Sequence, residues 1–407
     1  MATPLNAAAQ VNSVEIVQML IAAGANVNLA RDNRVTPIFM AAQHDRLPIV
    51  KLLIDAGADV DFEGSVDMAS PIFQAAALGY AQVTEALIAA GANVDVARPK
   101  DGATPLGCSA EKGFLPIVRA LLAGGADVDK AQANGKSPLY KAAIQNKLEV
   151  VRVLVAAGAE VNKATPEGLT PLLRSVEGGY VQVTEALIAG AADVNLASVP
   201  DGITPVFASA QFHRLEVMHV LIAAGADLDK ANLGGCTPLC IAAHYGKLPI
   251  VRALLAAGAD LHKADVKGWT PLTVAAHEGN LAAARVLVAA GADVNVPLPP
   301  NDPEAQAMPL LVAVRHGLMQ FFPLLPPVLQ ENGADDEKVL AFLQQKEQDV
   351  QGSANRGDIE YPHLHAVLTI PAEAVRAFVE TRAVSGAAPS PCGRKGGRGR
   401  GGIEIAG

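Results

Sequence analysis

Apolar positions recur at helical spacing along residues 1–296, and the pattern restarts every 33 or 34 residues. In the second stretch they are Ile38, Ala41 and Ala42, then, after a polar break, Ile49, Val50, Leu52, Leu53 and Ile54. In the eighth they are Leu239, Ala242 and Ala243, then Ile250, Val251, Leu254 and Leu255. This spacing predicts two short helices per stretch, A and then B, each with one apolar stripe. One such pair cannot bury its stripe alone, but stacked copies can.

The punctuation between helices is regular. Thr-Pro or Ser-Pro stands in register at Thr3, Thr36, Ser70, Thr104, Ser137, Thr170, Thr204, Thr237 and Thr270. The hydroxyl is a helix N-cap, and proline fits the first helical position, which needs no N–H. Pro48, Pro116 and Pro249 suit the first turn of helix B in the same way. A Gly-Ala pair begins 21 residues after each Thr or Ser, with Ala191 in place of Gly in the sixth unit alone. That Gly supplies the left-handed residue that stops helix B. Polar segments such as Asn26-Val27-Asn28 and Asp127-Val128-Asp129 follow, then in six of the loops a Gly two residues before the next Thr or Ser, and these read as turns. The helix-pair interval never changes, so the extra residue of a 34-residue unit belongs in the turn segment.

This pattern resembles the ankyrin repeat family. The period, the Thr-Pro-Leu start, the Ala-Ala pair and the Gly-Ala-Asp-Val-Asn ending all match, as in Asn232–Leu239 and Gly258–Asp260. The resemblance covers nine units and implies an all-α solenoid of helix-turn-helix repeats joined by hairpin-like loops. One column departs from it: where the family usually has His after Thr-Pro-Leu, this chain has Asn6, Phe39, Phe73, Gly107, Tyr140, Leu173, Phe207, Cys240 and Thr273. A degenerate tenth unit is read over 297–335, from Met308–Gly317 as helix A with its turn and Glu331–Asp335 as an ending. The array is therefore expected over 1–335, a short helical extension over 336–384, and a disordered Gly/Arg-rich tail over 385–407. Thr3-Pro4 lies almost at Met1, so the first repeat is expected to fray, or the chain to be a fragment.

Composition narrows the function. Half of the chain is hydrophobic but only 4% is aromatic, which suits closely packed small helices. The net charge is −9, and residues 1–296 are themselves mildly acidic, which argues against a general nucleic-acid surface there, since that needs clustered Lys and Arg. Four scattered cysteines make no disulfide framework and point to reduced thiols, in the cytosol or alternatively the nucleus. No signal peptide or apolar run of bilayer length stands out.

The candidate chemical motifs dissolve on inspection. Gly397–Gly402 matches G-x-G-x-x-G but follows no strand and opens no helix. Cys236, Cys240 and His244 have metal-like spacing without a fourth ligand, and His277-Glu278 lacks the second His of a zinc protease. No catalytic residue, metal or cofactor is expected. The resemblance also makes Asn28, Asn162, Asn195 and Asn295 candidate substrates of an oxygen-dependent hydroxylase; the plainer role is that of turn residues.

The resemblance further implies that loop tips and helix A line a concave binding face. The residues that vary there between units are the expected partner contacts: Arg31, Asp32, Asn33, Arg34 and His44, then Glu111, Lys112 and Gln145, then Gln211, Phe212, Leu233, Tyr245, Lys267, Trp269 and Glu278. Tyr245 and Trp269 are expected to be exposed hot spots. Phe39, Phe73, Tyr140 and Phe207 are expected to pack between repeats. The expected function is a non-enzymatic, monomeric scaffold or adaptor for a protein partner, without membrane or nucleic acid. The alternatives are a regulatory part of a larger signalling enzyme or channel, and weak RNA association through the tail.

Overall fold

The computed structural model describes residues 3–31, 34–62, 70–294 and 296. The degenerate repeat, the extension and the tail expected from the sequence lie outside the described residues. Eighteen α-helices form nine pairs among the described residues, which contain no strand. The first three pairs are α1 (Pro4–Gln10) with α2 (Val14–Ala22), α3 (Pro37–Gln43) with α4 (Leu47–Asp55), and α5 (Pro71–Leu78) with α6 (Ala81–Ala89). Next come α7 (Pro105–Lys112) with α8 (Leu115–Ala123), α9 (Pro138–Ile144) with α10 (Leu148–Ala156), and α11 (Pro171–Gly178) with α12 (Val181–Ala189). The last are α13 (Pro205–Gln211) with α14 (Leu215–Ala223), α15 (Pro238–His244) with α16 (Leu248–Ala256), and α17 (Pro271–His277) with α18 (Leu281–Ala289).

Two compact units are distinguished. One runs to Ser209 and takes in His219–Ala226; the other takes in Ala210–Met218 and the described residues from Asp227 on. In the first, each odd-numbered helix from α1 to α11 packs on the next odd one, and α2 to α12 do likewise among themselves. In the second, α15 packs on α17 and α16 on α18.

All nine predicted N-caps form. The hydroxyl of each repeat's first Thr or Ser accepts the N–H three residues on, at 3.0 Å from Gly107 to Thr104 and 3.1 Å from Cys240 to Thr237. Asn6, in the column that departs from the family, also donates its Nδ2 to Thr3 Oγ1 and to the Leu29 carbonyl, at 3.0 and 3.1 Å. Phe39, Phe73, Tyr140, Leu173 and Phe207 fill the same column with buried bulk, so those aromatics do pack between repeats. In α4, α8 and α16 proline stands in the first turn, leaving one N–H fewer to satisfy where no side chain caps the helix.

Helix B ends in a Schellman turn in every repeat. Gly158 N–H donates to the Val155 carbonyl at 3.0 Å and Ala159 N–H to the Leu154 carbonyl at 3.1 Å, with Gly158 at φ +86°. In the sixth repeat Ala191 makes the same turn at φ +65°.

The turn segments do more than reverse the chain. Side chains at their ends reach into the next repeat: Asp59 N–H donates to Asn28 Oδ1 at 2.7 Å, Asn93 N–H to Asp61 Oδ1 at 2.8 Å, and Asp193 N–H to Asn162 Oδ1 at 2.8 Å. In the second unit Asp260 N–H donates to Asp229 Oδ1 at 2.8 Å. The loops then fold as small hairpins, closed by Gln132 N–H to the Lys136 carbonyl at 3.1 Å. Where the Thr or Ser markers are 34 residues apart the closure widens, from Arg98 to Ala103 and from Ser198 to Ile203, which places the extra residue in the hairpin tip. Adjacent tips touch. Gly168, at φ +72°, leaves no room for a Cβ, which would lie 2.5 Å from the Val199 nitrogen.

Candidate functional site

The helix A ends and hairpin tips carry the residues that differ most between repeats. In the first unit these residues pair with one another. Arg98 lies 5.2 Å from the centre of the Phe73 ring and its Nε donates to Asp101 Oδ1 at 2.9 Å. That hydrogen bond holds the Asp101 carboxyl down to about 2. Lys141, whose side chain is only 6% exposed, is neutralised by Glu111 at 2.8 Å. Gly107, lacking a side chain, leaves the space along which the Lys141 stem runs, 3.7 Å from where its Cβ would sit. Tyr140, buried under its neighbours, accepts from Arg174 Nε at 2.8 Å through its hydroxyl, and Arg174 also pairs with Glu177. Burial raises the Cys108 thiol above its ordinary value, which leaves it protonated and a poor nucleophile.

The second unit replaces these ion pairs with rings. His213 and Tyr245 meet edge to face with centroids 5.6 Å apart, and His244 meets Tyr245 at 4.8 Å. Glu278 Oε1 lies 3.3 Å from His244 Nδ1 and 3.2 Å from His277 Nδ1. The two imidazoles, His244 foremost, hold the Glu278 carboxyl down to about 2. His277 in turn stacks edgewise on Trp269 at 5.1 Å.

One expectation is overturned here. Trp269 is 2% exposed, so it is no surface hot spot. Its backbone N–H donates to Asp265 Oδ1 at 2.9 Å and its backbone carbonyl accepts from Asp265 N–H at 3.0 Å, and the indole lies inward against His277 of helix A. The indole Nε1 is buried without an acceptor. The same column holds Val35, Ala103 and Cys236, all buried, and half-buried Leu169 and Ile203; only Lys136 is polar there among the described residues, so the mostly apolar column was a signal for its burial.

The other expected contacts divide. Tyr245 is 39% exposed, Phe212 43% and Leu233 71%. Arg34, His44, Lys112, Gln145 and Lys267 are exposed as well. Arg31 is tied back by a 3.0 Å bond from Nη2 to Gln10 Oε1, and Gln211 is half-buried. Asp32 and Asn33 lie outside the described residues. Lys112 Nζ donates to the Ala77 carbonyl at 2.7 Å. Sequence reasoning missed Lys141, Arg174 and His213, though Cys108, Lys141 and Arg174 share one column of helix A that turns charged in mid-array.

Cys236 and Cys240 are both buried, and among the described residues no three His, Cys, Asp or Glu side chains converge as metal ligands. No helix among the described residues is long and apolar enough to cross a membrane. A groove of about 410 Å³ between α10 and α12, lined by Arg152, Val155, Gln182 and Glu185, presents no catalytic set.

The family model for ankyrin repeats in three copies matches residues 1–63, 72–165 and 225–297. The chain belongs to the ankyrin repeat family. Among solved structures it is similar to the ankyrin repeat domain of Bcl-3, described as a unique member of the IkappaB protein family. The two are 28% identical, with a TM-score of 0.50, over 55% of this chain and 100% of that one. The human ASB11 ankyrin repeat domain is 25% identical with a TM-score of 0.48, over 55% of this chain and 99% of that one. No curated protein sequence matches. Ankyrin repeat domains are generally protein–protein interaction modules, and the fold is typically non-catalytic.

Proposed function

We propose that this protein is a non-enzymatic scaffold or adaptor that holds a protein segment against helix A ends and hairpin tips. The observation that carries this reading is the division of labour within each repeat. Caps, Schellman turns and the turn-segment ladder satisfy the frame internally, while Phe212, Leu233 and Tyr245 stand exposed at positions the frame does not need. Exposed apolar side chains on a rigid, internally satisfied support are what a binding surface requires. On this reading the protein works as a monomer in the cytosol or nucleus.

The test is affinity purification with the full chain and with a triple variant, Phe212→Ala, Leu233→Ala and Tyr245→Ala. These sites are exposed, so the variant should melt within a few degrees of the parent. The expected result is loss of retained proteins. An identical set retained by parent and variant would show that binding does not use this surface.

A further inference from the structure

The exposed rings of the second unit have a charge setting that identifies what they take. Phe212, Tyr245 and Glu278 occupy the same place in successive repeats, eight residues after each Thr. The equivalent places in the first unit carry no Phe, Tyr or Trp. The Tyr245 ring is wedged between the His213 and His244 rings, so it is already ordered and loses little side-chain entropy on binding.

The charges around these rings lean positive. Lys247 stands at the N-cap of α16 and bears on His213, whose pKa is lowered by burial and then by this ammonium. Arg214, next to His213 in the turn between α13 and α14, acts in the same direction. Lys267 is exposed at the hairpin tip. Of the nearby carboxylates, Asp265 is 7% exposed and spent on the backbone N–H groups of Lys267 and Trp269, each at 2.9 Å. Glu278 is shared by His244 and His277. Cationic side chains thus stand on the same unit as the exposed rings, in a chain of net charge −9.

We propose that this surface recognises an acidic peptide segment that carries an aromatic or long aliphatic anchor. The anchor packs on Phe212 and Tyr245, and the flanking Asp or Glu side chains meet Lys247 and Lys267. Complementary charge of this kind sets orientation and partner choice, while ring burial supplies affinity. A nucleic acid is disfavoured, because so few cations cannot anchor a phosphate backbone. The inference rests on the scaffold reading above.

Short random peptides displayed on phage, panned against the full chain, test it. The expected enrichment is Asp and Glu around Phe, Tyr, Trp or Leu. A fluorescein-labelled copy of the strongest clone should then bind the double variant Phe212→Ala/Tyr245→Ala at least about tenfold more weakly. The pair Lys247→Glu/Lys267→Glu should weaken the same peptide by a similar factor while retaining the melting temperature. No enrichment on the full chain overturns both this inference and the scaffold reading. Enriched clones that are basic, or that bind both variants as they bind the parent, overturn this inference alone.

Discussion

The backbone N–H of Asn93 donates to the Asp61 carboxylate across the boundary between two repeats, 2.8 Å away. The same joint recurs one repeat at a time along the first unit, as from Asp193 to Asn162. An acceptor side chain is what matters at these places, not its charge. Asn162→Ala should lower the unfolding free energy by about 1 kcal/mol, and Asn162→Asp by much less. Urea denaturation followed by circular dichroism decides it; equal losses would mean that the acceptor oxygen is not what stabilises the joint.

Capping should behave alike at every repeat, because the geometry repeats. Thr237→Ala removes the acceptor of the Cys240 N–H and should destabilise by about 1 kcal/mol, whereas Thr237→Ser restores most of it. Thermal melts of the two variants provide the comparison.

Two opposite substitutions probe the left-handed stop of helix B. Ala191 holds φ +65° against its Cβ, so Ala191→Gly should stabilise by about 1 kcal/mol. Gly158→Ala, at φ +86° with nothing within 4 Å of the added Cβ, should destabilise by about as much. Chemical denaturation of both would expose any other origin, since crowding is absent at Gly158.

Lys141 and Glu111 form an unequal pair. Removing the half-exposed acid strands a buried ammonium, while removing the lysine leaves a carboxylate that water can reach. Glu111→Gln should therefore destabilise by roughly 2 kcal/mol and Lys141→Met by less than roughly half of that. The reverse order in equilibrium unfolding would refute this account.

Glu278 gives the protein an acid-sensitive contact. Its carboxyl is depressed from 4.5 to about 2, so its contribution is present in full above about pH 4.5 and is lost as pH falls towards 2. The stability gap between the parent and Glu278→Gln should be open at pH 5 to 6 and close near pH 2. A gap independent of pH in that range would exclude the two imidazoles as its cause.

The frame was legible in the sequence because each of its parts is a local device. A Thr-Pro cap, a Gly stop and a fixed interval act within one repeat, and nine copies make the signal plain. The inter-repeat joints were read only as turns, since their partners lie about one repeat away. Trp269 was misjudged because a loop residue and an indole both suggest exposure. Two backbone bonds to Asp265 hold that loop residue, and its indole lies inward against His277. The paired charges of the first unit and the ring cluster of the second depend on which columns come face to face after stacking. A single repeat does not contain that information.

The joints also set how each unit bears load. Every one of them ties residues about a single repeat apart, and no contact among those described for the stack needs a distant part of the chain. Links arranged in series share the same tension, so a pull along the chain opens the weakest before its neighbours feel more strain. Opening one helix pair would lengthen the unit by that pair and leave the neighbouring joints in place.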